Sequence, residues 1–196
     1  FFPVHLLSFL YHSLLITTEI STILGEGNES QIKELLRQGV CIPLFFEADC
    51  ELDGNTLFVV GDLSEEEANA WVGKLVGKLN IPCGKLVLLC GGGDPDGFAH
   101  AMSGNLPDPN CEFFQIIEVP SGEYQVEIFA YLTSSIAQNY LEEQKENIQE
   151  WFRNNCSGTE SIGYIIHLIP LESEPTLPKL VPEVGWCSEF EFREPE

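Results

Sequence analysis

The sequence predicts an α+β fold of two consecutive strand-helix-strand-strand modules with mostly antiparallel sheet, preceded by an N-terminal helical or strand segment. Three observations predict it. Apolar residues switch repeatedly between the two-residue period of strands and the 3.6-residue period of helices. Two capping signatures, Ser64 with Glu67 and Ser135 with Gln138, each stand ahead of an apolar stripe. From Thr56 onward the order strand, helix, strand, strand occurs twice. Each half alone has too little apolar face to stand independently. The 196 residues are therefore expected as a single compact domain, pseudo-duplicated as 40–117 and 118–196 with 1–39 packed on it.

The elements follow in order. Residues 1–18 contain no Asp, Glu, Lys or Arg, but they lack the basic start and small-residue cleavage site of a signal peptide and are too polar for a spanning helix. A buried strand or helix is expected there, and the missing initiator Met points to a true start elsewhere. Ile20, Ile23 and Leu24 at helical spacing, stopped by Gly25, predict a short helix. Asn28 with Gln31, then Ile32, Leu35 and Leu36, then Gly39, predict a second.

Residues 42–47 and 56–60 flank Leu52-Asp53-Gly54-Asn55 and read as a hairpin. The Ser64 cap then opens a helix whose buried face is Ala68, Trp71, Val72, Leu75 and Leu79 and which closes before Pro82. Residues 85–90 form the next strand. The stretch 91–110 is rich in Gly, Pro and Asp and reads as a long loop, with a weak helical patch at 98–102. Residues 112–119 and 123–133 form a second hairpin about Pro120-Ser121-Gly122. Ala137, Tyr140, Leu141, Ile148, Trp151 and Phe152 then mark one long amphipathic helix. A buried strand at 161–171, an irregular proline-rich stretch and an edge strand at 188–193 complete the chain.

Charge excludes whole classes of partner. The chain carries 31 acidic against 9 basic residues, a formal net charge of −22. A surface with so few, scattered cations cannot replace the counterions of a nucleic acid, and it is repelled by anionic lipid. A small molecule or a basic protein is the expected partner; nucleic acid and membrane are not. The seven cysteines, Cys41, Cys50, Cys83, Cys90, Cys111, Cys156 and Cys187, are odd in number. No two stand at the close spacing of zinc ribbons or redox motifs. Several lie in apolar runs, where a thiol packs as a small hydrophobe, so a reduced, cytoplasmic setting is expected, with no cofactor and no metal.

The segment Glu118-Val119-Pro120-Ser121-Gly122-Glu123-Tyr124-Gln125-Val126, followed by a helix ending in Trp151-Phe152, resembles the effector-binding domains of the gyrase-inhibitor-like family. It is similar to that family's Pro-x-Gly-x-Tyr strand entry. The resemblance covers 118–152 in residues, and 56–117 in the order of elements. It implies a cleft at the module junction for a hydrophobic or cationic small molecule, with Tyr124 and Trp151 as aromatic walls and a glutamate of the last strand, Glu189 or Glu191, facing the cation. Family members often carry a basic helix-turn-helix ahead of this domain. The first 40 residues here lack the basic residues it needs.

Other motifs are weaker. Asp49, Glu51, Asp53 and Gly54 imitate the start of a calcium loop, but its twelfth position is Val60 instead of a bidentate Glu. The glycine-rich stretch after Cys90 lacks a Walker lysine, and Asp94 and Asp96 would repel a phosphate. Cys90 with His100 is the sole candidate nucleophile and base, and it needs a lowered thiol pKa. His5 and His12 make no metal set with the four histidines available. Trp71 and Trp151 fall on buried helical faces, whereas Trp186-Cys187 lies in the irregular tail and is a candidate ligand contact. The leading expectation is a non-enzymatic binding module for a hydrophobic or cationic small molecule. An acidic interaction or inhibitor protein with a basic partner is the alternative, and a Cys90-dependent enzyme the third.

Overall fold

A computed structural model describes residues 4–9, 20, 22–24, 29–45, 55–90, 100–101, 103, 105, 114–180, 187 and 190–195. In chain order the elements are β1 (Val4–Phe9), α1 (Glu29–Gln38), β2 (Cys41–Phe45), β3 (Thr56–Val60), α2 (Glu65–Asn69), β4 (Gly73–Ile81), β5 (Lys85–Cys90), β6 (Phe114–Glu118), β7 (Gly122–Ala130), α3 (Ser135–Glu143), α4 (Glu146–Asn155), β8 (Tyr164–Pro170) and β9 (Glu191–Phe192). The fold is mixed α+β, with a four-stranded sheet of order β2-β1-β5-β6 and a five-stranded sheet of order β3-β8-β7-β4-β9. The chain divides into two units that interleave along the sequence: 1–49, 77–125 and 170–189 in the first, 50–76, 126–169 and 190–196 in the second.

In the first unit, β1 pairs antiparallel with β2 and β5, and β5 with β6. Helix α1 buries Ile32, Leu35 and Leu36 and stops at Gly39, whose φ of 68° is the left-handed conformation that closes a helix. The Gly39 and Val40 amides then return to the Leu36 and Leu35 carbonyls at 3.0 and 2.9 Å. On the exposed side of α1, a fork from Arg37 with help from Gln38 holds the Glu34 carboxyl down at about 2. Lys78 is buried, and its ammonium reaches the more exposed Glu174 at 2.6 Å and Glu123 at 3.9 Å.

In the second unit, β3 runs parallel to β8, with Thr56 opposite Tyr164 and Val60 opposite Leu168. Its core joins Ala70, Val72, Phe129, Tyr131, Ala137, Leu141, Phe152, Cys156 and Ile165. Helices α3 and α4 supply the apolar stripe, with Phe152 fully buried. Helix α2 is held by its ends. The Ser64 hydroxyl accepts from the Glu67 amide, and the Glu67 carboxylate accepts from the Ser64 amide at 2.7 Å. Because α2 buries no side chain, its support is this reciprocal cap together with hydrogen bonds to its carbonyls, among them that from the Tyr131 hydroxyl to Glu67 at 2.6 Å. Ser64→Ala should lower stability by about 1 kcal/mol, read as a shift of the urea midpoint at unchanged slope, while Ser64→Asp should keep most of it.

Several expected elements differ. The helix expected through Leu79 stops at Asn69, and Gly73 onward is strand β4. Leu75, Leu79 and Ile81 satisfy the two-residue period as well as the helical one, and two glycines in the run weaken a helix. Gly77 is needed besides, since a Cβ there would come within 2.7 Å of the Ile42 side chain. Neither expected hairpin forms: β2 pairs with β1 and β3 with β8, while β6 pairs with β5 and β7 joins the other sheet. Cross-strand partners such as Lys85 opposite Glu118 outweigh the local turn signals. The Asp53-Gly54 turn lies outside the described residues.

The single long helix is two, because Gln144 and Lys145 take extended ψ values of 160° and 150°. Its cap is Ser134, which accepts from the Ala137 amide, while Ser135 pairs with the Tyr164 hydroxyl. The helix at α1, the strand at β8, the irregular 172–179 and the final edge strand stand where expected.

Candidate functional site

The second unit assembles an aromatic site from three separate pieces of chain. Helix α2 ends when the Ala70 amide bonds back to the Glu66 carbonyl at 2.8 Å, and the next residue, half-buried Trp71, lies against Phe129 with ring centroids 5.9 Å apart. Helix α4 places two consecutive aromatics differently. Phe152 points into the core, and Trp151 stands half-buried at its rim, edge-on to Phe152 at 5.1 Å. The third piece is the C-terminal segment. Strand β9 lies antiparallel on β4, with Phe192 opposite Gly73 and Glu191 opposite Lys74. Phe192 stacks on Tyr140 at 3.8 Å, 5° from parallel. Gly73 makes room for it, since a Cβ there would come to 3.2 Å from the Phe192 ring.

These contacts deliver Arg193. Its amide donates to the Val72 carbonyl at 2.9 Å, and its guanidinium donates to the Asn69 carbonyl. The guanidinium carbon sits 5.7 Å from the Trp71 ring centre and 5.8 Å from that of Trp151. A cation within about 6 Å of an indole face gains roughly 0.5–1 kcal/mol when exposed, and more when desolvated; Arg193 is half-buried and faces two. Cys156 lies beside this cation. Burial pushes its thiol pKa up while the Arg193 charge pulls the other way, and burial wins, so no thiolate nucleophile stands here at neutral pH.

A second polar group joins three strands. Lys74 on β4 reaches Glu127 on β7 at 2.6 Å, and Glu127 lies 3.4 Å from Nδ1 of His167 on β8. That last approach lacks hydrogen-bond alignment, so it is the weaker of the two. The Nε2–H of His167 donates to the Gly61 carbonyl at 2.5 Å, because a carbonyl can only accept. Lys74 also lies 5.2 Å from the Phe129 ring centre. The group is a charge pair braced by Phe129.

The residues singled out from sequence are distributed unevenly. Trp151 is in the aromatic site, and Glu191 is exposed on β9. Tyr124 belongs to the first unit, where its hydroxyl donates to the Pro120 carbonyl at 2.7 Å and its ring lies over Gly122. His100 is exposed and edge-on to Phe114 at 5.4 Å. Trp186, Glu189 and the Cys90 side chain lie outside the described residues. Sequence reasoning missed Arg193 and placed Trp71 on a helix. A lone base inside the acidic Glu191-Phe192-Arg193-Glu194 was the available signal for Arg193.

Among the described residues no three His, Cys, Asp or Glu side chains are grouped to hold a metal, and no helix is long and apolar enough to cross a membrane. No protein-family model, curated protein or solved structure matches this chain.

Proposed function

We propose that the chain is a non-enzymatic binding module for hydrophobic cations, and that the Trp71–Trp151 site of the second unit is where they bind. One observation carries this reading: a guanidinium already rests against both indoles, with the Asn69 carbonyl accepting from it. Two polarizable faces and a backbone carbonyl are a recognition chemistry for a large, weakly hydrated cation, and nothing in them activates a nucleophile. The net charge of −22 concentrates cations near such a site and repels anions. The ligand class agrees with that implied by the resemblance to gyrase-inhibitor-like effector-binding domains.

Benzyltrimethylammonium should raise the melting temperature of the chain and quench its tryptophan fluorescence, because a ligand that binds only the folded state stabilises it. Benzylsulfonate, of similar size and opposite charge, should do neither. Trp151→Ala should remove most of the cation's effect. Equal shifts from both compounds, or none from either, would refute the reading.

A further inference from the structure

Resting on that reading, we propose that the segment 190–195 is an internal occupant of a peptide-binding edge, and that the natural ligand is an extended, arginine-bearing segment of a basic partner that takes its place. The segment is held as a bound peptide is held. Two of its residues pair with the nine-residue β4, the Arg193 amide adds a bond to the Val72 carbonyl, and the side chains anchor the rest: buried Phe190 beside Gly73, Phe192 on Tyr140 and Arg193 on the indoles. Trp, Tyr and Arg are the side chains in which interface energy concentrates, and addition of a strand to a sheet edge is a recurring mode of peptide capture.

Withdrawal of the segment leaves specific demands behind it. The carbonyls of Asn69 and Val72 lose the donors that Arg193 supplies, the indoles lose their cation, and Tyr140 loses its stacked ring. An incoming strand with an aromatic residue followed by arginine meets all of these at once. The internal occupant is matched in charge at Glu191, which stands opposite Lys74, but not beyond it. Glu194 follows Arg193, and Glu65, Glu66 and Glu67 crowd the first turn of α2, two residues before the Asn69 carbonyl. A partner that keeps an acid opposite Lys74 and carries a lysine in place of Glu194 avoids that repulsion.

The test uses the full chain and a fluorescent probe peptide, acetyl-Glu-Phe-Arg-Lys-amide, with a matched peptide bearing citrulline in place of arginine. Arg193→Gln leaves Phe192 in place and vacates the indoles; it should bind the arginine probe about tenfold more tightly than the wild type, a change of roughly 1.4 kcal/mol. Phe192→Ala/Arg193→Gln should bind it at least as well, with near-UV circular dichroism confirming that the fold is kept. The citrulline peptide should bind all three chains weakly and alike.

Equal arginine-probe affinity in wild type and Arg193→Gln would overturn the internal occupant, while a benzyltrimethylammonium shift in the same samples would leave the cation site standing. Loss of both responses in Arg193→Gln would overturn the two readings together. Equal binding of the citrulline and arginine peptides would overturn the guanidinium as the recognised group.

Discussion

Gly39→Val is expected to destabilise the first unit by about 3–5 kcal/mol, the sum of a backbone penalty and a steric one. Gly39 holds a φ of 68°, and a Cβ built on it would stand 2.9 Å from the Asn80 amide nitrogen and 3.2 Å from the Leu79 carbonyl carbon. Those neighbours are backbone atoms and cannot swing aside. They are tied in place as well, since the Asn80 amide donates to the Gly39 carbonyl at 2.8 Å. The left-handed conformation costs a residue with a Cβ roughly 1–2 kcal/mol, and a branched side chain more. Overpacking against β4 adds about 1–3 kcal/mol.

Gly61 separates the two terms. It has a φ of 104° and no atom within 4 Å of its virtual Cβ, so Gly61→Ala should show the conformational penalty alone. Urea midpoints of the two variants check the expectation. A Gly39→Val midpoint no lower than that of Gly61→Ala would show that the close approach to β4 carries no cost.

Phe152→Ala should cost about 3–5 kcal/mol through the cavity it leaves. Phe152 is fully buried in the second unit's core, and it touches the aromatic cluster from behind. Its ring meets Trp151 edge-on at 5.1 Å and Tyr140 at 6.2 Å, so the two aromatics that receive Arg193 and Phe192 share it as a backing. Trp71 and Trp151 themselves are only half-buried, and their removal should cost less stability than that of Phe152.

Phe152→Leu keeps much of the volume and should lose less than about 1.5 kcal/mol. It removes the edge-on contact, however, and should still weaken the response to benzyltrimethylammonium. Chemical denaturation gives the first quantity, and the cation titration gives the second. A Leu variant with wild-type cation response would show that Trp151 needs no support from Phe152.

Features that depend on a few neighbouring residues were legible before any coordinates. The stripe Ile32, Leu35 and Leu36 closed by Gly39 makes α1, and the Ser64 and Glu67 pair makes the start of α2. The apolar run of β8 makes a buried strand. The net charge of −22 is a sum over residues and needs no fold to be known. Each of these follows from backbone hydrogen-bonding demand, side-chain periodicity or charge, all of which act locally or simply add.

Tertiary structure decided which strand lies beside which, because pairing is a property of two distant segments. Residues 73–81 suit a helix or a strand by spacing alone. They become β4 because β7 and β9 offer hydrogen bonds on either side and because Ile42 fills the space over Gly77. The aromatic site has the same origin. Trp71, Trp151 and Arg193 are remote in sequence and share no motif, and only the register that sets Phe192 against Gly73 brings the guanidinium to the indoles. A cation's attraction to a ring fades beyond about 6 Å, so the site exists only once the chain has folded to that distance.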